Sequence, residues 1–251
     1  MSKESFKPIS VKSPSANLFL FKIRCFIDFQ LLTIVKFLHP EMTKLPPGVI
    51  IDIGAGESPW KCWLPAGCSY QGIDIGLSTE FGMSQRSDKI TLYDGGVMPL
   101  DSNFFDGAIC IEVLEHAEDP DFLLSEIARI MKSESVLILT VPWSSRTHHI
   151  PNDYHRFTKE RLEVLLSNAG FTKISVKERG NDYCVIANKL TVILIRNITQ
   201  INLSNFIYRG PLIGISLTFS LVMIAIAHIS LMYGSENSED PLGYFCKATK
   251  L

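Results

Sequence analysis

Closely spaced cysteines are missing from this 251-residue chain. The six thiols, at 25, 62, 68, 110, 184 and 246, never show the two-residue gap of a zinc knuckle. No Cys/His set stands beside them, and no metal-ligand set is expected anywhere in the chain. Scattered thiols of this kind suit a reducing compartment. A basic excess is missing too. Lys and Arg number 24 against 26 Asp and Glu, a net charge of -2, which gives no support to a nucleic-acid role. The opening residues Met1 to Pro8 lack the layout of a cleavable signal peptide, so a cytoplasmic protein is expected. The surplus lies in apolar residues. They make up 46% of the chain, and mean hydropathy is +0.18, high for a soluble enzyme with 20% charged residues. That surplus must sit in particular segments.

The chain is organised around Val49 to Pro59. Val49, Ile50, Ile51 and Ile53 are apolar and β-branched, as a buried parallel strand requires. Gly54 and Gly56 follow at once, and without Cβ atoms they let the backbone turn sharply against a ligand. A second strand, Tyr70 to Ile75, carries Asp74 near its end, where an acid can accept both hydroxyls of a ribose. A dinucleotide fingerprint wants a third glycine near position 59, and Pro59 stands there instead.

Further strands are expected at 89–93, 107–111, 136–141 and 171–176. Helices separate the later ones. One starts with Asp119 as N-cap and Pro120 as first residue, with Phe122, Leu123, Ile127, Ile130 and Met131 as its apolar face. Another runs from Thr158 to Gly170, a good helix-ending residue. Strands alternating with helices predict a parallel, doubly wound sheet. Ahead of it, residues 1–16 read as an arm and 17–40 as one amphipathic helix stopped before Pro40. The expected division is 1–47 for this N-terminal part, 48–178 for the core, 179–238 for an apolar helical insertion and 239–251 for the last strand.

The stretch Asp52-Ile53-Gly54-Ala55-Gly56 resembles the first motif of class I S-adenosylmethionine (SAM)-dependent methyltransferases. Asp94-Gly95-Gly96-Val97-Met98-Pro99-Leu100, Asn103-Phe104-Phe105-Asp106 and Glu112-Val113-Leu114-Glu115-His116 look like the middle of the methyltransferase type 11 group. The likeness covers 49–178. Lys132-Ser133-Glu134-Ser135 departs from the group's usual Lys-Pro-Gly-Gly turn, which is remote from the site. The resemblance implies an α/β, Rossmann-like, doubly wound seven-stranded sheet, with the N-terminal helix and the insertion between strands six and seven added to it. It implies SAM as cofactor. Asp52, Gly54 and Gly56 would lie against its methionine and ribose parts, Asp74 with Ile75 against the ribose, Asp94 with Gly95 against the adenine edge, and Ile111 beside the methionine half.

A narrower resemblance follows strand five. His148-His149-Ile150-Pro151-Asn152-Asp153-Tyr154-His155-Arg156-Phe157-Thr158 looks like the His-x-x-Pro-x-Asp-Tyr-x-Arg-x-Thr signature of one type 11 subgroup, met among surface-glycan and glycolipid functions. This segment leaves the carboxyl end of a strand, where α/β proteins bind ligands. His148 and His116 are the candidates for proton transfer on the acceptor side, with Tyr154 as a further catalytic candidate. Asp153 and Arg156 are candidates for substrate contact, or else a pair that merely orders the loop.

Leu212 to Tyr233 is apolar over a length that can cross a bilayer. Basic Lys189, Arg196 and Arg209 precede it, and acidic Glu236, Glu239 and Asp240 follow. Yet Pro241 to Ala248 resembles the family's seventh strand, antiparallel beside the sixth. Both ends of the insertion then lie on one side of any membrane, which forbids a single crossing. The insertion should be a hairpin, a re-entrant segment, an interfacial helix pair or a cap, capable also of forming an oligomer interface. The expected reaction is methyl transfer, on oxygen, to a small-molecule, glycan or lipid-linked acceptor, with attachment to the cytoplasmic membrane face through 212–233. A catalytically silent scaffold and an NAD-dependent oxidoreductase are the competing readings.

Overall fold

The computed structural model describes residues 9–75, 90–202, 204–234 and 238–251. Seven strands form one sheet: β1 (Gly48–Ile53), β2 (Cys68–Ile75), β3 (Ile90–Tyr93), β4 (Phe105–Ile111), β5 (Met131–Pro142), β6 (Phe171–Arg179) and β7 (Gly243–Lys250). Their order is β3-β2-β1-β4-β5-β7-β6. β7 pairs antiparallel with both β5 and β6, and the other pairings are parallel. The doubly wound sheet and its inserted last strand match expectation. Lys89, expected to open β3, and Glu236, counted among the acids after the apolar run, lie outside the described residues.

One face of the sheet carries α3 (Pro120–Ile130) and α4 (Lys159–Asn168), which bury Leu124, Ile127, Leu162 and Leu165 against Ile51, Ala108 and Leu139. α3 starts as anticipated: the Asp119 carboxylate accepts from the Phe122 amide at 2.9 Å, with Pro120 as the first residue. Its expected apolar face needs trimming. Phe122 is exposed, and Met131 opens β5 instead of closing the helix.

The other face is covered from the N-terminal side. The expected single helix is two: α1 (Leu18–Ile27) and α2 (Phe29–Met42). Asp28 divides them, because its extended backbone ends α1 while its carboxylate caps α2 through the Leu31 amide at 3.1 Å. α2 does not stop before Pro40. The proline sits at an exposed position in the last turn, and Thr43 closes the helix onto the His39 carbonyl. Leu31, Ile34, Leu38 and Met42 pack on Ile50, Ile109, Ile138 and Phe245, so α2 is a layer of the core.

α5 (Asp182–Thr199) and α6 (Phe206–Tyr233) fill the connection between β6 and β7. They pack on each other, and both ends return to the sheet. α6 buries Ser216, Ser220, Ile224 and Ala227, a stripe with helical spacing. At about 1.5 Å per residue its 28 residues span some 40 Å. Among the described residues it is the one helix long and apolar enough to cross a membrane, with 22% of its most apolar window buried.

Candidate active site

β1 delivers the chain into a turn built on two left-handed glycines, Gly54 at φ 67° and Gly56 at φ 52°. A Cβ on Gly54 would run into Val113. The turn is tied to the next strand: the Gly54 amide donates to the Ile73 carbonyl at 2.8 Å, and the Gly56 amide to Asp74 Oδ2, also at 2.8 Å. The other Asp74 oxygen accepts from the Ile75 amide at 2.7 Å. Asp52, buried beneath the turn, accepts from the Tyr70 hydroxyl at 2.7 Å, and burial pushes its carboxyl up to about 7. Asp94 follows the β3 residue paired with Ile75; it is exposed, and its carboxylate caps the Gly96 amide at 2.9 Å, next to Gly95 at φ 91°.

Above the turn lies a cavity of about 300 Å³, bordered by Asp52, Gly54, Gly56, Ile111, His116 and His148 among others. A second cavity of about 570 Å³ opens beside it between α1, α5 and the segment after β5. The two share Ile9, Arg24, Asp28, Gln30, Ser145 and His148. Ile27, Val192, Ile193 and Ile195 make the second cavity apolar, while Arg24, Arg146, Lys189 and Arg196 bring positive charge to its wall.

At the junction three imidazoles meet. The rings of His116, His148 and His149 lie 4.8–5.1 Å apart, centre to centre. His116 Nδ1 bonds to the Asn152 carbonyl at 2.5 Å, and His148 Nδ1 to that of Arg146 at 3.0 Å. A ring nitrogen facing a carbonyl must carry the proton, so Nε2 of both rings holds the lone pair. Burial, chiefly, lowers His116 to about 4 and His149 to about 3. Under the rings lies Glu115, fully buried, its carboxyl held well above the usual range by burial and then by Glu112.

Residues 28–176, more than half of the chain, match the model of the methyltransferase domain family. The chain belongs to the class I SAM-dependent methyltransferases. A search of curated proteins finds no significant match. Among solved structures, a SAM-dependent methyltransferase of Thermotoga maritima, described as a possible histamine N-methyltransferase, superposes with a TM-score of 0.54 at 13% identity, over 95% of this chain and 97% of that one. The [4+2]-cyclase SpnF gives 0.54 at 19% identity, over 88% and 82%. Phosphoethanolamine N-methyltransferase 2 of Haemonchus contortus, solved with phosphomonomethylethanolamine and S-adenosylhomocysteine, gives 0.51 at 14%, over 85% and 52%. At these identities the likeness is one of fold.

S-adenosyl-L-methionine is the methyltransferase family's cofactor, and the cradle fits it. The cavity floor has no Cβ at Gly54 or Gly56, and the acid at the end of β2 is already held beside the turn. The family match sets the dinucleotide reading aside. Tyr154, Asp153 and Arg156 line neither cavity of the methyltransferase. Tyr154 is half-exposed, its hydroxyl on Asn152 Oδ1 at 3.1 Å. Arg156 grips Asp153 with two bonds of 2.6 and 2.9 Å, and Asp153 Oδ2 accepts the His148 amide at 2.9 Å. The pair thus ties the loop to the backbone of His148.

Sequence reasoning missed three residues. Glu115 and His149 were in view as parts of motifs, with no role given. Arg179 was taken as the start of the insertion. It is fully buried and donates to Glu112 Oε1 at 2.7 Å, Thr33 Oγ1 and the carbonyls of Gln30, Val141 and Tyr244. The imidazole cluster does not show in sequence spacing, because the fold brings His116 to His148 from another strand's end.

Proposed function

We propose that this methyltransferase moves a methyl group from SAM to a hydroxyl oxygen of a small-molecule, glycan or lipid-linked acceptor seated in the larger cavity. The observation that supports this is the meeting of the two cavities at His148. Bound SAM supplies an electrophilic methyl carbon, so the protein's main work is to hold acceptor and cofactor in line. Asp52, Gly54, Gly56, Asp74 and Ile111 hold the cofactor side, with Ile75, Asp94 and Gly95 toward its adenine. His148 and His116 stand where the acceptor's proton must leave. The apolar wall with its four cations suits an acceptor that joins a hydrophobic chain to an anionic group.

The second element of the proposal is attachment to a membrane surface at its cytoplasmic face. α6 exposes Phe206, Ile207, Phe219, Leu221, Ile229 and Met232, and α1 exposes Phe19 and Phe26 nearby, where Phe26 stacks on His228 of α6 at 4.4 Å. A patch of that size is unusual on a soluble monomer. A contact between copies through the same face is the competing use.

Calorimetric titration with S-adenosylhomocysteine tests the cofactor site. Micromolar binding, lost in Asp74→Ala, is expected. Failure of a folded sample to bind would favour a scaffold that has kept the fold without the chemistry. Flotation with anionic liposomes tests the second element, and full recovery in the unbound fraction as a monodisperse protein would overturn it.

A further inference from the structure

We infer that Glu115, His116, His148 and His149 form a binding site for a divalent transition-metal cation of the zinc type, set at the junction of the two cavities. One nitrogen from each of the three rings lies within 4.8 Å of the others. His116 Nε2 stands 3.6 Å from Glu115 Oε1, and His148 Nε2 stands 4.0 Å from the same oxygen. Two ligands held by one tetrahedral cation at ordinary bond lengths are separated by about 3.4 Å. The distances are therefore near those of a ligand set, needing a small contraction to close on an ion.

Two independent features point to a ligand. The first is Glu115. Its side chain is fully buried, and neither carboxylate oxygen has a hydrogen-bond partner among the described residues. A buried carboxyl without a donor is costly, and a cation at this point would satisfy it. The second is the orientation of the rings. Metal-binding histidines usually donate their other ring N–H to a carbonyl or carboxylate, which fixes the tautomer and aims the lone pair. His116 and His148 both do this through Nδ1, toward Asn152 and Arg146. The Asp153–Arg156 pair adds a further brace, since Asp153 holds the His148 amide.

Imidazole nitrogen with one carboxylate oxygen is a donor set that selects zinc-like ions over magnesium or calcium. Zinc-type ions can expand from four ligands to five, and an oxygen displacing or joining one of these ligands would complete the set. His116, His148 and His149 all border the smaller cavity, and His148 borders the larger one as well. A hydroxyl reaching the ion from the acceptor cavity would be acidified by it and would release its proton to solvent in that cavity. In that state the imidazoles serve as ligands and not as proton carriers. The site itself stands on the distances above. Only this role for it rests on the acceptor reading.

The test uses the purified full chain, stripped by a chelator and titrated with Co²⁺ while visible absorption is followed. One equivalent per chain is expected, with the d–d bands of nitrogen-coordinated cobalt, and Zn²⁺ should bleach them. Glu115→Gln and His148→Gln should each weaken binding about tenfold or more, while His155→Gln, on the same loop but outside the set, should bind as the parent does. Absence of a saturable one-equivalent signal, or equal binding by the parent and both ligand variants, overturns the proposal. Titration of the same samples with S-adenosylhomocysteine separates it from the methyl-transfer reading. Cofactor binding without cobalt binding sinks the metal site alone. Cobalt binding without cofactor binding sinks methyl transfer and leaves the metal site standing.

Discussion

The cofactor cradle and the larger cavity, proposed above for the acceptor, sit on the same sheet edge but are built differently. The cradle comes from two short local pieces, the β1 turn and the end of β2, joined by amide bonds to Asp74 and the Ile73 carbonyl. The chamber comes from α1, α5 and the loop after β5, with α1 more than a hundred residues from the other two in the chain. A cofactor shared by a whole family allows one local solution to be reused. An acceptor does not, and its chamber is assembled from whatever the added elements bring over the edge.

The sharpest way to break this comparison is at Arg179, where the two regions are joined. Its guanidinium, fully buried at the end of β6, reaches Glu112 beside the cradle and carbonyls of α2, β5 and β7. Arg179→Met removes the cation and leaves those acceptors and Glu112 short of a donor. A loss of about 3–5 kcal/mol is expected by denaturant unfolding. Glu112→Gln keeps an acceptor for the arginine and should lose less. Equal losses would mean that the charge pair with Glu112 carries the whole effect of Arg179.

Next in size is the cradle. Gly54→Ala places a side chain against Val113 at a backbone angle that alanine rarely adopts. Affinity for S-adenosylhomocysteine should fall about a hundredfold, near 3 kcal/mol. Calorimetry measures this, and unchanged affinity would show that the turn yields more easily than its contacts suggest.

The third prediction concerns proton linkage at the boundary. His116 titrates near 4 in the folded chain and near its ordinary 6.5 when unfolded. Between those values the unfolded chain binds a proton that the folded one refuses, so stability falls as pH drops through that window. Asp52 works the other way. Its carboxyl is raised to about 7, so the folded chain keeps a proton that the unfolded chain releases, and stability falls as pH rises from about 4 to 7. The two partly cancel in the parent. With chelator present, His116→Gln should lose less stability than the parent between pH 7 and pH 5, a difference of about 2 kcal/mol at most. Parallel pH profiles for the two proteins would count against a neutral, buried His116.

What could be read in advance follows the same division. The strand-and-glycine run at 49–56, the Asp119-Pro120 helix start and the Asp74 strand end are local, so composition and spacing reveal them. The return of β7 to the sheet was legible only through resemblance, because Pro241 to Ala248 looks like the family's seventh strand. Asp28 was not legible as a break. An acid in an amphipathic run reads as part of a polar face, and only the extended backbone there makes it a cap. Arg179 and Glu115 were invisible for a common reason. Charged residues are expected in water, and what buries these two is contact with distant elements. The imidazole cluster needed the ends of β4 and β5 side by side, a fact of sheet order and not of spacing.

The smallest effect on folding is expected on α6, and there the comparison is sharpest in function. Its inward stripe of Ser216, Ser220, Ile224 and Ala227 packs against its neighbours, while Ile215, Phe219 and Leu221 face outward. Replacing Ile215 and Phe219 by lysine leaves the inward stripe untouched, and surface changes of this kind alter stability by about 0.5 kcal/mol or less. Cofactor affinity should also hold, since neither residue borders the cradle cavity. Liposome flotation should be lost, because two lysines on the apolar face remove the area that a bilayer would bury. A double variant that folds, binds cofactor and still floats would place membrane contact elsewhere, and one whose parent never floats but runs as a dimer while the variant runs as a monomer would assign this face to a second copy. The helix that adds most apolar surface to the chain would then act on its partners and not on its fold, the opposite of the Arg179 junction, where one buried side chain holds the two regions together.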